Sequence, residues 1–295
     1  MPEWGQVITA MVTPFDEKGA ICERAVQRVV DHLYDNGSDG LVVCGTTGES
    51  PTLSHDEKLQ MFRLVKQASH GRGPIIAGTG TYNTGESIEL SRQAEEIGVD
   101  GLLAVTPYYN KPSQEGLYLH FRAIAESVRI PVMVYNVPPR TSVNIEPATV
   151  LRLAKDVTNI VGVKEASGNL VQVSEIVAGA PAGFSIYSGE DGVVLPVLSV
   201  GGVGVVSVTS HVAGKELKRM HEAFFSGDYA EAARLHAFML PIVKACFQST
   251  TPSPAPVKAA MNLMGLNVGG LRLPLVEVND AEREIVRRAL AAYAT

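Results

Sequence analysis

Several protein classes leave marks in a sequence that are missing from these 295 residues. Cysteine is scarce: Cys22, Cys44 and Cys246 are odd in number, far apart and without C-x-x-C spacing. A disulfide framework is therefore not expected, and the thiols read as reduced residues of a cytoplasmic protein, with Cys44 part of an apolar strand. Basic blocks are missing too. Lys and Arg total 25 against 31 Asp and Glu, a formal net charge of -6, with no basic–aromatic interleaving to follow a phosphate backbone. No nucleic-acid partner is expected. The N-terminal stretch MPEWGQVITAMVTPF has no basic region leading into an apolar one, so no secretory leader is expected. The most apolar run, Val193 to Val208, is interrupted by Pro196, Gly201, Gly202 and Gly204. It reads as buried strand and loop, and no membrane association is expected.

What is present is a regular alternation. Short apolar, β-branched runs recur at a pitch of roughly thirty residues, each followed by an amphipathic helical segment. They begin at Val7, Gly40, Pro74, Gly101, Pro131, Ile160, Phe184 and Val203. Ser54-His55-Asp56-Glu57 is a capping box opening a helix toward Gly71, and Gly37 and Gly98 stand where helix C-caps belong. Continuous apolar strands alternating with helices imply a parallel sheet buried on both faces. Eight such units predict an α/β fold, a closed (β/α)8 TIM barrel over residues 1–226. An open doubly wound sheet would carry a Gly-rich fingerprint after its first strand, where Thr13-Pro14-Phe15 stands instead. From residue 227 to 295 only helical segments follow, at Tyr229 to Phe247, Val257 to Met264 and Asp280 to Tyr293. They predict a small C-terminal helical domain, with Thr251 to Pro256 too proline-rich to be helical.

The sixth strand contains an anomaly: Lys164 follows Ile160-Val161-Gly162-Val163 and precedes Glu165. A buried lysine implies either an ion pair, with Glu165 or another acid, or an amine kept neutral for chemistry. In a barrel of this kind chemistry collects at the carboxyl ends of the strands. Those ends carry GTTGES (Gly45 to Ser50), Thr79, TPYYN (Thr106 to Asn110), YNVPPRT (Tyr135 to Thr141), Lys164, SGED (Ser188 to Asp191) and Ser207-Val208-Thr209-Ser210. Hydroxyls dominate. The seven histidines (His32, His55, His70, His120, His211, His221, His236) lack metal-ligand spacing and no carboxylates cluster at the strand ends, so no metal is expected. An amine among phenols and alcohols suits imine chemistry on a ketone or aldehyde, and Arg140 suits a substrate carboxylate. Singly, Tyr108, Tyr109 and Arg140 also fit packing or surface roles. Gly201-Gly202-Val203-Gly204 also fits a phosphate cradle, although its glycines do not open a helix.

The motifs GTTGES, AGTG (Ala77 to Gly80), TPYYNKPSQEGLYLHF, YNVPPRT, GVKEASGNL, SGED, GGVGVVSV, PVKAAMNLMGL and GGLRLPL, in this order, resemble those of the dihydrodipicolinate synthase / N-acetylneuraminate lyase family of class I aldolase barrels. The likeness covers nearly the whole chain. It implies that Lys164 forms a Schiff base with pyruvate, with Tyr135 as general acid/base and Thr46 and Tyr109 completing a proton relay. The relay tyrosine reaches in from a neighbouring subunit, which implies a homo-oligomer, a tetramer built from tight dimers. Thr47 would hold the pyruvate carboxylate, and Gly189 and Val206 would line the pocket. Arg140 points to the synthase branch, with L-aspartate-4-semialdehyde as second substrate and 4-hydroxy-tetrahydrodipicolinate as product, on the way to diaminopimelate and lysine. No cofactor is implied beyond the covalent imine. The alternatives are another pyruvate-dependent lyase of the family, acting on N-acetylneuraminate, 2-keto-3-deoxygluconate or hydroxy-oxoglutarate, and a barrel without turnover.

Lysine-inhibited members bind their effector at positions matching Ser50, Pro51, His55, Lys58, Tyr82, Glu86 and Tyr108. Here Lys58 replaces a usual histidine and Tyr82 an asparagine. A cation at Lys58 would oppose the ammonium groups of lysine, so weak or absent feedback is expected. Ser253, where the family usually has asparagine, has no interpretation.

Overall fold

β-Branched residues suit the pleat, and each short apolar run forms a strand in the computed structural model, which describes residues 4–293. The strands are β1 (Val7–Ala10), β2 (Gly40–Val43), β3 (Ile75–Gly78), β4 (Gly101–Val105), β5 (Val132–Asn136), β6 (Ile160–Glu165), β7 (Ser185–Ser188) and β8 (Gly204–Ser207). They lie side by side in chain order as a closed barrel. β1 pairs with β2 in parallel, as do β3 with β4 and each later strand with the next through β8, and β1, β2, β3 and β5 are buried at every residue, as a sheet covered on both faces requires. The architecture is the expected (β/α)8 barrel with additional C-terminal helices. Residues 4–6 with 74–206 form one compact unit, and 7–73 with 207–293 form another that includes β1, β2 and the C-terminal helices.

Helix boundaries follow local chemistry. The helix His55–Ser69 opens on the expected capping box: Ser54 Oγ accepts from the Glu57 amide at 3.2 Å, and Glu57 Oε2 accepts from the Ser54 amide at 2.8 Å. Thr84–Ile97 ends at Gly98 in the left-handed region, φ 87°. The last helices are Tyr229–Cys246, Ala255–Leu263 and Asp280–Leu290.

Two expectations need correction. Ala255 and Pro256 belong to a helix, since proline costs little in a first turn, where its missing N–H has no intrahelical acceptor. The run Val193 to Val208 contains the short helix Val194–Ser199 as well as β8, with Pro196 again in a first turn. The glycines between them serve close packing. A Cβ on Gly202 would lie 2.5 Å from Val197 Cγ1, and one on Gly204 would lie 2.3 Å from the Gln6 carbonyl oxygen.

Candidate active site

Successive side chains of a strand leave opposite faces, which separates Lys164 from Glu165 at the end of β6. Lys164 lies in register with Tyr135 of β5 and Tyr187 of β7. It is 5 % exposed, and its Nζ sits 4.1 Å from the centroid of the Tyr135 ring, itself 6 % exposed. Glu165 turns toward the helices. Its carboxylate accepts from Asn136 Nδ2 at 3.0 and 3.2 Å, from Gln172 Nε2 at 3.0 Å and from the Ser167 amide at 2.7 Å. Asn144 ties the same group together, accepting from Asn136 at 2.8 Å and from Gln172 at 3.1 Å. The suggested Lys164–Glu165 pair is therefore not formed. This amide–carboxylate cluster binds the carboxyl ends of β5 and β6, the strands that carry Tyr135 and Lys164, and strand periodicity was the signal that could have placed Glu165 there.

Beyond β7, Gly189 leaves room beside the lysine. A Cβ there would stand 2.6 Å from Ala166 Cβ and 3.2 Å from Lys164 Cε, while the Gly189 amide donates to the Glu165 carbonyl at 2.7 Å. Val206 lies buried in β8. Glu190, next to Gly189, has its carboxyl held above the usual range by burial and by the charges of Glu165 and Asp191.

Arg140 is exposed on the four-residue helix Pro138–Thr141, which follows β5 directly. Tyr109 is 92 % exposed with φ 70°, a left-handed conformation uncommon for a bulky residue. Within one chain it is not buried with Tyr135 and Lys164. Beside it, Tyr108 packs edge-on against Tyr82 at 5.1 Å between centroids. Burial, Tyr82 and the Glu86 charge push the Tyr108 phenol up. Three of the positions expected as effector contacts, Tyr82, Glu86 and Tyr108, thus come together.

In the other unit, Thr46 and Thr47 occupy the loop after β2, Thr46 half-buried and Thr47 buried. The loop closes through Gly48 N to Gly45 O and Glu49 N to Thr46 O, both 3.1 Å, and through Ser50 N to Gly45 O at 3.3 Å. Ser50 opens a 3-10 turn, His55 is the first residue of the helix His55–Ser69, and Lys58 lies one turn on. Burial pushes the Cys44 thiol up to about 12, so it is core and not a nucleophile. Among the described residues, no three or more His, Cys, Asp or Glu gather as a metal site, and no helix is long and apolar enough to cross a membrane.

Known proteins share this sequence and fold. The model of the dihydrodipicolinate synthetase family matches residues 3–293. The 4-hydroxy-tetrahydrodipicolinate synthase of Desulforamulus reducens is 54% identical over 98% of this chain and 97% of its own. A dihydrodipicolinate synthase structure from Bacillus anthracis superposes with a TM-score of 0.95 at 46% identity over 99% of both chains. The lysine-bound enzyme of Cyanidioschyzon merolae superposes with a TM-score of 0.97 at 43% identity, again over 99% of both chains. With a family model spanning almost every residue and a relative more than half identical, this chain belongs to the dihydrodipicolinate synthetase family.

Proposed function

We propose that this chain is a Schiff-base-forming lyase that condenses pyruvate with L-aspartate-4-semialdehyde to 4-hydroxy-tetrahydrodipicolinate, in the biosynthesis of diaminopimelate and lysine. The observation that carries the mechanism is the buried Lys164 amine, 4.1 Å from the Tyr135 ring centroid, with space kept beside its Cε by Gly189. The unprotonated amine adds to the keto carbon of pyruvate. Loss of water gives an imine, and removal of a methyl proton gives an enamine whose terminal carbon bonds to the aldehyde carbon. The α-amino group of the second substrate then adds to the imine carbon and expels the lysine nitrogen, which closes the product ring and restores the free amine. Tyr135 is the acid/base that moves these protons, with Thr46 and Tyr109 as its relay. Thr47 holds the pyruvate carboxylate, Gly189 and Val206 shape the pocket, and the Arg140 fork takes the carboxylate of the second substrate. Protonated imine nitrogen provides the electron sink, so the scheme uses no cofactor or metal.

The exposed, left-handed Tyr109 supports a homo-oligomer in which this side chain completes a neighbour's site, a tetramer built from tight dimers in the family pattern. Cytoplasmic location and small-molecule substrates alone, without nucleic acid or membrane, accord with the composition. For Ser50, His55, Lys58, Tyr82, Glu86 and Tyr108 we propose a degenerate effector site with weak or no response to lysine, because Lys58 adds a like charge. Inhibition by sub-millimolar lysine would overturn that assignment.

Borohydride reduction in the presence of pyruvate, followed by peptide mass mapping, tests the mechanism. A reduced pyruvate adduct on Lys164 is expected, and failure to trap one removes the scheme. Assaying pyruvate with several aldehydes separates this substrate from those of the other lyases.

A further inference from the structure

A fully buried ion pair joins the loop after β2 to the C-terminal tail. Lys258 Nζ lies 2.6 Å from Glu49 Oε1, with the two side chains 1 % and 0 % exposed. Lys258, on the helix Ala255–Leu263, also donates to the Gly270 carbonyl at 2.7 Å. Fourteen residues along, Arg272 closes around the same loop: its amide donates to Glu49 Oε2 at 3.0 Å, its Nη1 to the Thr52 carbonyl at 2.9 Å, and its guanidinium pairs with Glu57 at 2.5 Å. The Phe15 ring takes both cations on its face, Lys258 Nζ at 4.2 Å and Arg272 Cζ at 4.5 Å. Glu49 itself is left-handed, φ 56°, and stands two residues after Thr47. A non-glycine residue stays in that conformation only where its surroundings over-determine it. Both Glu49 carboxylate oxygens are claimed by the tail, one by an ammonium and one by a backbone amide.

We infer that Lys258, Glu49 and Arg272 form a positioning clamp: the C-terminal tail fixes the loop Gly45 to Ser50 and so sets the orientation of Thr46 and Thr47 at the carboxyl end of β2. The inference rests on the proposed role of these threonines in holding and activating pyruvate. These tail residues touch no substrate in that scheme and act through the loop. A buried charge pair is costly to desolvate and is often replaceable by apolar groups without loss of stability, so stability alone gives a weak reason for it, whereas unique geometry gives a stronger one. A displacement of about 1 Å in a substrate-holding group lowers catalytic efficiency by up to about 100-fold.

The experiment uses the full chain carrying Glu49→Gln and Lys258→Met together, which removes both charges and nearly keeps both volumes, with Arg287→Ala in the exposed tail as control. Borohydride trapping on the unaltered protein comes first, so a failure of the proposed reaction is seen separately. For the folded double variant the expected result is a pyruvate KM raised about 10- to 100-fold, an aldehyde KM changed less than about twofold, and faster hydrogen exchange at the Thr46 to Glu49 amides without substrate. Arg287→Ala should match the unaltered protein in all three. An unchanged pyruvate KM with unchanged exchange, or an equal loss in both KM values, overturns the clamp. If the double variant does not fold, Glu49→Gln alone is read by the same two measurements.

Discussion

At the end of β6 the pleat sends two adjacent ionisable side chains to different jobs, Lys164 into the barrel and Glu165 onto its amide partners. In the proposed scheme, removing the lysine removes the nucleophile. Lys164→Ala should lower kcat by about 10³-fold or more and abolish borohydride trapping, with thermal unfolding close to that of the parent. Glu165→Ala should act through stability. It leaves the Asn136 and Gln172 amides and the Ser167 N–H without their shared acceptor, at a cost of about 2–4 kcal/mol measurable by urea denaturation. A parent-like urea midpoint would contradict the cluster's role. The lysine was legible because an ammonium in an apolar run stands out in one dimension. Adjacency in sequence suggests Glu165 as its partner, but a period of two places neighbours on opposite faces, a local rule that follows from the strand itself.

The helix His55–Ser69 shows how far a local signal reaches. Its capping box was readable because both hydrogen bonds lie within four residues, but the second task of Glu57 was not. Arg272, capping hydrogen bonds to Ser54 and the guanidinium charge together hold the Glu57 carboxyl down to about 2, with burial opposing. Since the folded value lies below the unfolded one, its stabilisation is complete above the ordinary carboxylate range and is lost as pH falls through it toward about 2. Glu57→Gln should lower the thermal midpoint at neutral pH and flatten its acid slope below about pH 4.5, a comparison made by calorimetry. An undiminished slope would remove Glu57 from the account.

Across the whole molecule, acid acts through buried histidines before it reaches the carboxylates. Burial lowers His120, His211 and His221 to about 4. His211 is tied on both nitrogens, Nδ1 to the Val208 carbonyl at 2.7 Å and Nε2 accepting from the Val12 amide at 3.2 Å. With folded values below the ordinary histidine value, stability is complete above about pH 6.5 and declines between about 6.5 and 4, because the unfolded chain takes up these protons first. Unfolding midpoints measured from pH 8 to 4 should fall in that window, and His221→Gln should reduce the decline; a flat profile would contradict the assignment. Assembly provides the second test at this scale. Tyr109→Phe and Lys164→Ala chains, each impaired alone, should regain activity when refolded together, toward roughly one intact site in four as random pairing in a two-fold dimer gives. No recovery in verified mixed oligomers would place Tyr109 in its own chain's site or in none.

Periodicity and residue type determined the strand count, the strand–helix alternation and the position of Lys164 at a strand's carboxyl end, since these depend on neighbours a few residues apart. The family motifs added the substrate and the residue roles proposed above. Tertiary structure alone decided which groups meet across long stretches of chain: Glu49 with Lys258 and Arg272, and Asn136 with Asn144, Gln172 and Glu165. It also decided that Tyr109 stands outside while Tyr135 is buried. Such contacts depend on where packing brings distant segments, and a carboxylate or an amide carries no local mark of the partner that will neutralise or satisfy it.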